Sequence, residues 1–280
     1  MRIVVAGSGP RMGFALAKAL ARRGHDVAMS DRPEPRDTGR AEAVVLVGDP
    51  DAPALDLDRT LDAVDAASAA RARPALVRLS ALGGQDAAED EAIVVRAGRA
   101  QLRDLRNGIP EARTFARLPD TDRAFRQACV ARDLHGVVLR AAELVSADRS
   151  QFGIADLVSR ALVDAATHVS PTSHVDGAST FDVIDAAALA AAVETLAERA
   201  SELAGDVLHL SGGATGRITL AAIHDAIGAA VKVTSAGHLV AHLLDDAQSR
   251  RRVSLPVTDA AAAIAATYRD LPRRPAAMRM

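Results

Sequence analysis

Aromatic side chains are almost missing from this chain. Phe, Tyr and Trp make up 2% of it, with no Trp, five Phe and one Tyr, Tyr268. The core must therefore be built from Ala, Val, Leu and Ile, which suits aliphatic helices packed on a sheet. Bases would find few rings to stack on, and the formal net charge is -2 with no basic stripe. Nucleic acid is excluded as the expected partner. The single cysteine, Cys129, rules out an intrachain disulfide and reads as a packed residue of a helical stretch. Lysine occurs only at Lys18 and Lys232, a coding bias towards Arg that carries no function. No apolar run reaches the roughly 20 residues of a membrane span. The opening run Met1-Arg2-Ile3-Val4-Val5-Ala6-Gly7 is a first strand, too short for a signal-peptide core. A soluble, cytoplasmic protein is expected, with a small molecule as its partner and no membrane.

Hydrophobic residues make up 49% of the 280 positions, enough for one large α/β domain. Short β-rich runs alternate with longer helical patterns, which predicts βαβ units and a parallel sheet. Strands are expected at 2–6, 26–30, 43–47, 75–80, 136–140, 180–184 and 206–210. Helices are expected at 12–23, 56–71, 92–106, 121–133, 154–166, 185–201, 220–230 and 239–251. The first and third strands are apolar without alternation, so both their faces are buried. Residues 85–91 read as an exposed polar loop and 270–280 as a frayed tail. The chain reads as a single domain over 1–280. Residues 1–150 are mainly dinucleotide-binding, and 151–270 form mainly a small substrate-side lobe.

The first strand runs into Gly7-Ser8-Gly9-Pro10-Arg11-Met12-Gly13 and then a helix. A glycine-rich turn at that junction lets backbone N–H groups approach a pyrophosphate, and the helix N-terminus adds partial positive charge. Gly7 and Gly9 allow the tight turn, Gly13 a close helix–strand contact. The spacing is G-x-G-x-x-x-G, and a lone glycine pattern is weak evidence. A second signal supports it: the second strand ends at Asp31, placed to accept bonds from the adenosine ribose hydroxyls. Asp31 favours NAD(H), because a 2′-phosphate would meet a like charge. Arg32 and Arg36 keep NADP(H) open.

From these residues onward the chain resembles an extended short-chain dehydrogenase/reductase of the NAD-dependent epimerase/dehydratase type. Val44-Val45-Leu46-Val47-Gly48-Asp49 resembles the family's third strand, whose end lines the adenine and ribose. Val77-Arg78-Leu79-Ser80-Ala81 resembles its fourth strand, with the active-site serine at Ser80. Gly136-Val137-Val138-Leu139-Arg140 and Ala141 to Val145 resemble its fifth strand and the loop beside the nicotinamide. The segments Phe181 to Asp185 and Val207 to Gly213 resemble strands of its substrate lobe. The likeness implies a Rossmann-type doubly wound parallel sheet with a small C-terminal lobe, and a dinucleotide held by Gly7, Gly9, Pro10, Arg11, Met12, Asp31, Arg32, Gly48, Asp49, Leu79 and Ala141.

The family's catalytic Tyr-x-x-x-Lys is absent: the only tyrosine, Tyr268, is followed four residues later by Pro272. Counting back from the fifth strand puts Phe115 at the tyrosine position and Pro119 at the lysine position. A second register would use Val95 and Arg99. Loss of the phenol removes a general acid that typically contributes about 10²–10⁴-fold. Ser80 remains to steady a developing alkoxide, and Glu143 to aim a substrate hydroxyl or a water. Ser80 reads equally as a residue bonding nearby backbone. Arg117 reads as a surface ion pair and His135 as structural. His168 and His174 lie in a 167–178 loop without metal-ligand spacing, and no metal is expected. The resemblance includes a minor class without the tyrosine, among them ketoreductases of aromatic polyketides such as angucyclinones in antibiotic biosynthesis. An NAD(P)H-dependent ketoreductase of a small hydrophobic or aromatic ketone is the first expectation. A non-catalytic NAD(P) sensor or scaffold is the second. A sugar-nucleotide epimerase or dehydratase is the weakest, because it leans on the missing tyrosine.

Overall fold

The computed structural model describes residues 1–7, 12–48, 53–81, 118–146, 172–175, 178, 180–228, 232–237 and 246–271. In chain order these form β1 (Arg2–Ala6), α1 (Met12–Arg22), β2 (Asp26–Ser30), α2 (Pro35–Thr38), β3 (Ala43–Val47), α3 (Pro53–Ala69), β4 (Ala75–Ala81), α4 (Leu118–Ala131), β5 (Gly136–Ala141) and β6 (Glu143–Val145). They continue as β7 (Thr172–Val175), β8 (Thr180–Asp185), α5 (Ala186–Glu198), β9 (Val207–Leu210), β10 (Arg217–Thr219), α6 (Leu220–Ile227), β11 (Lys232–Gly237), α7 (Ala247–Arg252) and α8 (Ala260–Asp270). The expected helices at 92–106 and 154–166, and most of that at 239–251, lie outside the described residues.

The main sheet has the order β2-β1-β3-β4-β5-β9, and every pair in it is parallel. Its inner strands are largely apolar on both faces because helices cover both. Ile3, Val5, Val45, Val77, Leu79, Val137 and Leu139 join α1 and α5 in one buried cluster. Val4, Val44, Leu46, Leu76 and Val138 join residues of α3 and α4, with Phe125, in another. This is the three-layer solution that continuous apolar strands require. Asp185 starts α5 by accepting from the Ala188 N–H at 2.7 Å, a cap that orients the helix to return under the sheet.

Two expectations are corrected by the topology. Residues 43–47 are third along the chain but lie against β1 on the side away from β2. They occupy the fourth place of the common 3-2-1-4-5-6 order. The reason is length: residues 31–42 hold only the four-residue α2, too little for another strand and helix. The segment around Val207–Leu210, expected in the substrate lobe, is the sixth strand of the main sheet beside β5. The remaining lobe is a β10-β8-β6 sheet and a β11-β7 pair. The lobe's own core, around Phe181, Val183, Ile218, Ile223 and Ile264, is covered by α6 and α8. Tyr268 packs against that core, which gives the lone phenol a packing role. The 142–145 and 172–175 stretches, expected as loops, contain β6 and β7; three- and four-residue strands are too short to show a period. Among the described residues no helix is long and apolar enough to cross a membrane.

The lobe is sewn to the end of β9. Gly212 donates to Asp182 Oδ1 at 3.1 Å, and Ser211 donates through both N and Oγ to Asp246 Oδ2 at 3.1 and 2.8 Å. A Cβ at Gly212 would stand 2.2 Å from the Val183 carbonyl oxygen, so only glycine permits this approach.

Candidate functional site

The chain leaves β1 for β2 on one side and later returns to β3 on the other. Ligands of open α/β sheets bind outside the carboxyl ends of the strands at such a switch point. Gly7 follows β1 there, with φ +110°, and a Cβ on it would sit 2.4 Å from the Val47 carbonyl oxygen. Its N–H donates to the Ser30 carbonyl at 3.3 Å. The backbones of β1, β2 and β3 therefore converge where the turn into α1 begins. Gly13 does not need to be glycine: a Cβ there would meet Val5, Met29 and Val47 side chains at 3.7–3.9 Å, which is ordinary contact. The expected close helix–strand contact is corrected accordingly.

Asp31 and Arg32 follow β2 and are exposed at the same edge. Arg32 pairs with Asp62 at 3.9 Å, and Arg36 with Glu34 at 3.0 Å. Gly48 follows β3 and is buried, donating to the Leu79 carbonyl at 2.9 Å. Leu79 and Ala141 are buried near the ends of β4 and β5. Met12 opens α1. Glu143 is half-buried and begins β6 opposite Val183, so the expected loop beside β5 is a strand. Gly9, Pro10, Arg11, Asp49, Val95, Arg99, Phe115, Arg117 and His168 lie outside the described residues. Pro119 falls in the first turn of α4, where its missing N–H costs no helical bond. His174 lies on β7. His135 precedes β5 at the opposite edge of the sheet.

Ser80 is 1% exposed, and its Oγ has no hydrogen-bond partner among the described residues. A buried hydroxyl left unpaired costs about 1–3 kcal/mol. Such an orphan at the carboxyl edge of a sheet leaves a donor and acceptor open to a further partner.

Beneath Ser80 lies a group the sequence reading missed. Arg78 is fully buried on the α3/α4 face. Its Nη1 and Nη2 donate to the two Asp56 oxygens at 3.2 and 2.5 Å. Nη1 also reaches Thr60 Oγ1 at 2.9 Å, and Nε reaches Asp122 Oδ1 at 2.9 Å. The other Asp122 oxygen accepts from Arg140 Nε at 3.1 Å. Burial by itself pulls the Arg78 guanidinium down, but Asp56 and Asp122 outweigh it and hold it above its ordinary value. The signal was an arginine inside each of two apolar strands, Val77-Arg78-Leu79 and Leu139-Arg140-Ala141. Among the described residues no group of His, Cys, Asp and Glu is arranged to hold a metal.

No protein-family model matches the chain, and no curated protein matches it in sequence. Solved structures do match in shape. RMD from Pseudomonas aeruginosa, complexed with NADPH, superposes with a TM-score of 0.66 at 15% identity, over 96% of this chain and 97% of that one. UDP-N-acetylglucosamine 4-epimerase from Bacillus cereus gives 0.67 at 14% identity, over 96% and 98%. UDP-glucose 4-epimerase from Brucella ovis, in complex with NAD, gives 0.63 at 18% identity, over 98% and 99%. The chain has their fold. At these identities the likeness speaks for architecture, and function has to be argued from the site.

Proposed function

We propose that the protein is an NAD(P)H-dependent ketoreductase that reduces a ketone of a small hydrophobic or aromatic, polyketide-like molecule without the Tyr-x-x-x-Lys pair. The observation that carries this reading is the buried, unpartnered Ser80 hydroxyl at the carboxyl end of β4. It stands on the sheet edge that bears the β1/β3 switch point. Neighbours of the same fold were solved with NAD and NADPH, in keeping with a dinucleotide there.

The glycine at the exit of β1, held at φ +110° with no room for a Cβ, suits the close backbone approach of such a cofactor. The Gly7 turn and the start of α1, with Gly9, Pro10, Arg11 and Met12, would hold the pyrophosphate. Asp31 and Arg32 would flank the adenosine ribose, Gly48 and Asp49 the adenine side, and Leu79 and Ala141 the nicotinamide side. Exposed Asp31 repels a 2′-phosphate and favours NADH slightly; Arg32 and Arg36, each facing a carboxylate, keep NADPH open. A bound reduced nicotinamide supplies the hydride. The chain supplies the rest: Ser80 donates Oγ–H to the ketone oxygen and steadies the charge that gathers on it. Glu143 aims a substrate hydroxyl or a water, and the proton comes from one of these. In either register, with Phe115 or Val95 at the tyrosine position, no phenol is there to deliver it.

Calorimetry with NADH and NADPH, followed by cofactor oxidation on a panel of polycyclic ketones, tests the reading. Ser80→Ala is expected to lower kcat by about 10²-fold with NADH affinity unchanged. Tight dinucleotide uptake with no turnover of any ketone would replace the ketoreductase by the sensor. Uptake of neither nucleotide would end both.

A further inference from the structure

Two passages of the chain from the core of the sheet into the core of the lobe run side by side, from Leu210 to Ile218 and from Leu255 to Ala260. The first contains Gly212-Gly213, and a glycine pair between two packed units is the usual material of a hinge. Here the pair has little freedom left. Gly212 donates to Asp182 Oδ1 at 3.1 Å and accepts from the Thr258 N–H at 3.0 Å. Gly213 donates to Ser211 Oγ at 2.9 Å and accepts from the Gly216 N–H at 3.1 Å. All four backbone polar groups of the pair are therefore bonded, with Gly213 held at φ +72°. Thr215 Oγ1 donates to the Thr258 carbonyl at 2.8 Å, which ties the first passage to the second again.

One side chain spans both passages. Arg250, on α7, donates through Nη2 to the Ser211 carbonyl at 3.1 Å in the first. It donates through Nη1 and Nη2 to the Leu255 and Pro256 carbonyls at 2.8 and 3.1 Å in the second. Its Nε donates to Asp246 Oδ2 at 2.8 Å. The same oxygen accepts from the N–H and the hydroxyl of Ser211. Asp246 and Arg250 stand at i and i+4 on the first turn of α7, so the helix brings them together already facing. Charge-assisted bonds of this kind are about twice as strong as neutral ones. Ser211 and Asp246 are buried, so water is a poor substitute for either partner.

We propose that Asp246 and Arg250 form a clasp that makes a fixed joint of Gly212-Gly213, so that the lobe and the sheet open as one cooperative unit and the lobe does not swing on this joint. The glycine pair offers a hinge and the clasp takes it away. The inference concerns how the two parts move, and it stands whether or not the protein reduces a ketone.

Hydrogen exchange of the full-length protein, read on peptides at increasing urea below the unfolding transition, tests it. In the unmodified protein, β8 and α8 are expected to open together with β4 and β5, with equal protection and equal dependence on urea. Arg250→Met is expected to speed exchange in β8 and α8 by about 10–100-fold, the reach of a lost charge-assisted bond, while β1, β3 and β4 stay within about twofold of their native rates. Asp246→Asn keeps an acceptor oxygen for Ser211 and loses the charge opposite Arg250. It is expected to show the same split at smaller size, and it decides the matter should Arg250→Met not fold. A lobe that opens ahead of the sheet in the unmodified protein overturns the proposal, because the joint is then already a hinge. So does a variant in which lobe and sheet accelerate equally, or in which neither does, since the pair would then support the whole fold or nothing at the joint.

Discussion

Replacing Arg78 by Met would strand a carboxylate in the core. Among the described residues the buried set around Arg78 holds two arginines and two aspartates, and Arg78→Met takes away the guanidinium that bonds both Asp56 and Asp122. Asp56 is 3% exposed and Asp122 1% exposed, so water cannot restore what Arg78 supplied. Breaking a buried pair from one side typically costs about 3–5 kcal/mol. For a chain of this size each kcal/mol moves the melting temperature by about 2–4 °C, so the expected fall is about 6–20 °C. The methionine is close in length to the arginine stem, so a cavity contributes little. Arg78→Met/Asp56→Asn returns the count to one cation and one carboxylate and is expected to regain most of the loss. The measurement is urea unfolding followed by circular dichroism, with calorimetric melting on the same samples. A single variant within about 1 kcal/mol of the native protein, or a double variant no better than the single, would refute the reasoning. The first result would mean the network carries no energy, the second that shape rather than charge balance decides.

Gly7→Ala is expected to destabilise by about 2 kcal/mol or more, because its Cβ would lie 2.4 Å from the Val47 oxygen at φ +110°. Gly13→Ala, with 3.7–3.9 Å of room, is expected to fold normally; equal melting temperatures for the two variants would contradict the placement of the β1–α1 turn. Burial pushes the Cys129 thiol up to about 12, so the folded state disfavours its thiolate. The stability this contributes is whole below the unfolded thiol's pKa of about 8.5 and is lost as pH rises through about 12. Native protein at about pH 8 should resist an aromatic disulfide reagent until denatured, and Cys129→Ala should soften the alkaline decline; stoichiometric labelling of the native form would contradict it.

What the sequence determined by itself is local. The strands at 2–6 and 43–47 are legible because runs such as Ile3-Val4-Val5-Ala6 admit burial on both faces and are followed by Gly; that at 26–30 is a half-exposed edge strand. Their number and alternation with helices dictated a parallel sheet, and the turn after Ala6 pointed to one edge of it. Tertiary structure decided what lies side by side. Whether residues 43–47 flank β1 or β2 depends on the space between strands in three dimensions. Whether residues 207–210 join the main sheet depends on β5 offering a free edge. The four-charge chain shows this most clearly. Asp56, Arg78, Asp122 and Arg140 are separated by 22, 44 and 18 residues along the chain, so no local period couples them. Their pairing exists only because α3 and α4 lie together over β4 and β5, where a lone charge would be too costly to bury unless another arrived to meet it.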